Sequence, residues 1–68
     1  MITYKPLLKM LVDKNMNKMD LKTIIGLSSG TVAKLSKNEY VSLEVIERLC
    51  AYFQCQPSDI FEYVSDDK

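Results

Sequence analysis

Between residues 18 and 38 the chain sets out cations and small hydroxyl side chains that could share one face: Lys18, then Ser28, Ser29 and Thr31, then Lys34 and Lys37. Lysine offers only donors and a fixed charge, whereas a hydroxyl both donates and accepts. Together they suit a polyanion whose edges carry donors and acceptors of their own. Catalysis would ask for convergent titratable groups in a pocket. The sequence has no His and no phosphate-cradling Gly-rich loop, and its acidic residues fall mostly on outward helix positions or in the tail. It is read as a binding protein and not as an enzyme. Cys50 and Cys55 are the two thiols, without a Cys-x-x-Cys pair or a His to join them. That pattern makes neither a zinc site nor a disulfide framework. Both are read as inert thiols, Cys50 packed in a helix as a small hydrophobe, and no metal or cofactor is called for.

Formal net charge is zero, but it is unevenly laid out. Residues 1–38 carry seven Lys against two Asp, a net of +5, and residues 39–68 carry Arg48 and Lys68 against seven acids, a net of −5. Such a split fits a basic binding face with an acidic side turned away from the polyanion.

These side chains need elements to hold them. At 68 residues and 47% hydrophobic content, the chain has the apolar fraction of one folded domain spanning residues 1–68, near the lower size limit for a self-sufficient core. Five short helical segments can be read, and no alternating run is long enough to demand a sheet. Leu7, Leu8, Leu11 and Val12 give the first its apolar face after Pro6, and Asn15 ends it. Asn17 caps the second, with Asp20 favouring its positive end and Leu21, Ile24 and Ile25 facing inward. Gly26 closes that helix in a left-handed turn. Ser28 caps the third, in which Val32 and Leu35 point inward while Ser29, Gly30, Thr31, Lys34 and Lys37 point outward. Asn38 stops it. Ser42 caps the fourth, with an apolar stripe of Leu43, Ile46, Leu49, Cys50 and Phe53. Pro57 and Ser58 break the chain, then Ile60, Phe61 and Val64 form a fifth helical turn before a polar tail at 65–68. The fold class is all-α.

Two helices joined by a short Gly-containing turn make a helix-turn-helix, whose second helix protrudes into a major groove. Residues 18–37 have that form. Residues 17–61 resemble the Cro/C1-type helix-turn-helix transcriptional regulators, on Leu21, Ile25, Gly26, Leu27, Val32 and Leu35 and on the stretches Ser42-Leu43-Glu44-Val45-Ile46 and Gln56-Pro57-Ser58-Asp59-Ile60-Phe61. The resemblance implies a compact five-helix bundle of the lambda-repressor-like type and sequence-specific binding of double-stranded DNA by a transcriptional regulator, a repressor, of bacterial, phage or mobile-element origin. It assigns base reading to Ser29, Gly30, Thr31 and Lys34, and phosphate contacts to Lys18, Ser28, Lys37 and Asn38. Lys34 is the strongest reader, matched to the O6 and N7 acceptors of guanine.

Two departures from the family pattern stand out. Lys22 occupies a position that is often small, so its stem must lie along the core with its charge outward. Ser36 and Leu11 replace an acid and an Arg that many members pair.

One recognition helix reads only a few base pairs, so the working unit is expected to be a homodimer reading half-sites about 10 base pairs apart. Tyr40, Tyr52, Phe61 and Tyr63 are candidate contacts between its halves. No apolar run is long enough to span a bilayer and no signal-peptide pattern opens the chain; the expectation is a cytoplasmic protein with no membrane partner and no evident small-molecule substrate. The alternative left open is a protein-interaction module on the same scaffold, such as an antitoxin or an anti-repressor.

Overall fold

The computed structural model describes residues 1–65, so the polar tail, apart from Ser65, lies outside the described residues. The chain runs through strand β1 (Ile2–Thr3), helices α1 (Lys5–Asp13), α2 (Lys18–Thr23), α3 (Ser29–Ser36) and α4 (Leu43–Phe53), a 3₁₀ turn (Pro57–Asp59) and strand β2 (Glu62–Tyr63).

Helix boundaries follow from local chemistry. The Asn17 side chain accepts from the Asp20 N–H while the Asp20 carboxylate accepts from the Asn17 N–H, a reciprocal cap that satisfies two otherwise orphaned donors. Ser28 and Ser42 cap α3 and α4 by accepting from the N–H groups three residues on. Asn15 and Asn38 take positive φ after α1 and α3, the left-handed stop that Asn tolerates better than most residues. Gln54 does the same after α4, at a position where the residue type gives no such signal.

Each of the main elements contributes to one core of Tyr4, Leu7, Leu11, Leu21, Leu27, Leu35, Ile46, Leu49, Phe53 and Ile60. Three residues read as inward from periodicity are not: Val12, Ile24 and Leu43 are 76%, 53% and 80% exposed. Val12 lies at the margin of the α1 stripe, Ile24 follows the last turn of the six-residue α2, and Leu43 opens α4. Spacing cannot tell the centre of an apolar stripe from its ends.

The all-α, five-helix expectation is corrected to four α-helices and a small antiparallel sheet. Ile2 pairs with Tyr63 and Thr3 with Glu62. Pro57 starts only a single 3₁₀ turn, which closes as the Ile60 and Phe61 N–H groups bond the Pro57 carbonyl. Ile60 then drops into the core, and its carbonyl accepts from the Leu7 N–H, one of the orphaned donors at the start of α1. Beyond it Phe61, Glu62 and Tyr63 run extended, because β1 supplies backbone partners that a further helical turn would forgo. Two-residue strands are too short to betray themselves by alternation.

Candidate nucleic-acid interface

The geometry of the interface is set at the turn between α2 and α3. Gly26 has φ +88°, a conformation that side-chain-bearing residues rarely adopt. Beyond it the Leu27 N–H reaches back to the Leu21 carbonyl at 3.1 Å, and the Leu27 side chain is buried. Arg48, one helix away in sequence, donates from Nη2 to the Ile25 carbonyl at 2.7 Å. A Cβ added at Gly26 would lie 3.1 Å from that same nitrogen. Gly26 is therefore required for its backbone conformation, while the close approach asks only a small shift of the flexible Arg48 end.

Ser28 begins α3 with its hydroxyl committed: Oγ accepts from the Thr31 N–H at 3.1 Å and donates to Thr31 Oγ1 at 2.9 Å. Thr31 and Val32 are half-buried and Leu35 is fully inside, so the opposite side of α3 is left to Ser29, Gly30, Ala33, Lys34 and Lys37, all exposed. Nothing lies within 4 Å of a Cβ built at Gly30, so the backbone there is open to close approach. Gly30, Lys34 and Lys37 follow one another at helical neighbour spacing along that side.

On α2, Lys18 and Lys22 are exposed and, with Met19, meet Ser29 and Val32 of α3 around a shallow groove of about 220 Å³. Lys18 is thus brought beside the start of α3, while Lys34 and Lys37 lie farther along it. Lys22, first noted as a departure from the pattern, adds a cation to the groove. Asn38 is exposed, but its Oδ1 accepts from the Tyr4 N–H at 3.1 Å, and the buried Tyr4 hydroxyl donates to the Glu39 carbonyl at 2.6 Å. Burial pushes the Tyr4 phenol above its ordinary range. This pair ties the exit of α3 to the N-terminal strand. At the two positions where an ion pair is common, Leu11 is buried and the Ser36 hydroxyl bonds the Val32 carbonyl.

Arg48 and Tyr4 were not visible as interface residues in the sequence, since neither faces the groove and each acts over more than twenty residues of chain. The one available signal was that Arg48 is the sole Arg, placed in the acidic half.

The chain, with its lysine-edged α3 following a glycine turn, matches one family model, the Cro/C1-type HTH DNA-binding domain, over residues 6–66. The chain belongs to this family. Among curated proteins, one relative is the uncharacterized HTH-type transcriptional regulator YozG of Bacillus subtilis (strain 168), 32% identical over 60 residues, which are 85% of this chain and 71% of YozG. Among solved structures, the transcriptional regulator VanUg superposes with a TM-score of 0.90 at 42% identity, covering 96% of this chain and 87% of VanUg. The Cro/C1-type family is one of DNA-binding regulators, not of enzymes. Among the described residues no helix is long and apolar enough to cross a membrane.

For this Cro/C1-type domain the turn makes a direct prediction. Gly26→Ala should destabilise by about 1 to 2 kcal/mol from backbone strain, with the flexible Arg48 end shifting slightly to admit the methyl. Arg48→Ala should cost less, since the guanidinium is exposed. Thermal melts would show both. If Gly26→Ala melts with the parent protein, the turn does not need the conformation described.

Proposed function

We propose that the chain is a sequence-specific double-stranded DNA-binding regulator that places α3 in the major groove. The observation that carries this reading is the exposed side of α3, with Ser29, Gly30, Lys34 and Lys37 clear of the core and Lys18 and Lys22 flanking its start. Ser29, Gly30, Thr31 and Lys34 are assigned to base edges. Lys18, Ser28, Lys37 and Asn38 are assigned to phosphates, with Lys18 and Lys37 supplying the charge. At Ser28 and Asn38 a phosphate would share groups already used in capping and anchoring. The regulation proposed is repression by occupying a promoter, which needs DNA binding and no other surface. The YozG relative supports a bacterial origin, and the working place is the cytoplasm. The whole chain, residues 1–68, acts as one domain.

The working unit on DNA is a homodimer. Tyr40 and Tyr63 are 78% and 72% exposed, and Tyr40 borders a small apolar hollow with Ile2, Val41, Leu43 and Phe61. These groups support the C-terminal half as the contact between copies. Tyr52 is half-covered and packs edge-on against Phe53 at 5.0 Å, so it contributes less.

Mobility shift on DNA upstream of its own gene, across a salt series, tests the reading. Specific DNA should outcompete scrambled DNA by about 1,000-fold or more, with two related half-sites protected. Equal affinity for every sequence would sink it. The second reading, an interaction module, is favoured by a largely apolar groove of about 510 Å³ lined by Leu8, Leu11, Val12, Met16 and Met19, with Asn17 and Lys18 at its polar side. A protein bound there would not depend on Lys34.

A further inference from the structure

Helix α4 ends at Phe53, and Gln54 turns left-handed, its N–H bonding the Cys50 carbonyl. The Cys55 N–H bonds that same carbonyl at 3.1 Å. This is the helix-stop geometry in which the residue just beyond the turn comes back against the residue five positions earlier, and in which those two side chains ordinarily make an apolar contact. Here the two positions are both cysteine. The hydrogen bond between them draws the two backbones together at the helix stop, and a disulfide asks for Cα atoms roughly 4.4 to 6.8 Å apart. The Cys55 thiol lies above its ordinary range, first because of burial and then through the neighbouring Cys50 thiol, with Asp59 adding to the effect and Lys14 opposing it. Both are free and only partly covered, so a small reagent can reach them.

We propose that Cys50 and Cys55 form a redox-active dithiol, which a small-molecule disulfide oxidises to an intramolecular disulfide within the folded protein. One cysteine thiolate attacks a sulfur of the reagent RSSR, forming a mixed disulfide and releasing RS⁻. The second thiolate then attacks the protein sulfur of that mixed disulfide and expels the other RS⁻. The two thiolates carry off the two electrons and, once protonated by the two thiol hydrogens, leave as two RSH. The left-handed turn at Gln54 supplies the proximity for the second step. Since the turn already holds both residues, closure needs no unfolding.

The test uses the full native chain and oxidised glutathione. Mass spectrometry should show loss of two hydrogens per chain, with the chain still single on a non-reducing gel, its helical circular dichroism kept, and the change undone by reductant. Cys50→Ala and Cys55→Ala should each stall as a mixed disulfide with glutathione. Because either variant could be perturbed in folding, the wild-type closing rate is also compared in buffer and in denaturant. Native closure should be faster by about tenfold or more, as expected for pre-positioned groups. Failure of the native protein to react, stalling at the mixed disulfide, cross-linking between chains, or closure no faster than in denaturant would each overturn the proposal.

Discussion

Leu49→Ala is expected to remove about 2 to 5 kcal/mol of stability. Leu49 is fully buried on α4, with Leu7, Leu21 and Ile60 as the other large side chains closed off from solvent. Truncating it loses the transfer free energy of its methyl groups and leaves a cavity that a close-packed core can only partly fill. A domain of this size sits near the low end of the usual roughly 5 to 15 kcal/mol, so one such cavity takes a large share. The melting temperature should fall by more than about 10 °C. Val12→Ala is the control, because Val12 belongs to an apolar run by spacing yet is 76% exposed. Its effect on stability should stay within about 0.5 kcal/mol. Equal losses from the two substitutions would mean that the core is drawn around the wrong residues.

Lys34→Ala is expected to weaken binding to the true operator by about 1 to 3 kcal/mol, roughly 5- to 150-fold, and to cost far less on DNA altered at the base it reads. The residue is exposed on α3, so its removal should leave the melting temperature unchanged. Lys18→Ala and Lys37→Ala should behave differently. If they hold phosphates, each should weaken specific and random DNA alike and reduce the slope of log affinity against log salt by about 1. Titrations on operator and scrambled DNA over a range of salt separate the two kinds of contact. A uniform loss from Lys34→Ala on every sequence would move it to the phosphate set.

The sequence by itself determined the features whose physics is local. Asn17, Ser28 and Ser42 cap helices because a short acceptor reaches an N–H three residues on. Gly26 and Asn38 end helices because they accept a left-handed backbone. The outward placement of Ser29, Gly30, Lys34 and Lys37 followed from helical period once Val32 and Leu35 were taken as the inner side. The candidate interface was legible for the same reason: it lies on one helix and the turn before it.

Only the tertiary structure decided what joins distant parts of the chain. The β1–β2 pairing links residues at opposite ends, and its two-residue strands carry no pattern of their own. Arg48 reaches the Ile25 carbonyl, and Tyr4 holds Asn38 and Glu39, across 23 to 35 positions. The exposure of Val12, Ile24 and Leu43 depended on where neighbouring elements end, which no helical wheel records. Cys50 and Cys55 carried no signal of proximity in count or spacing, and their backbones come together only through a left-handed Gln54 that residue type does not announce. Local propensity selects conformations within a few residues, whereas burial and long-range hydrogen bonds are settled by which elements exclude water from one another.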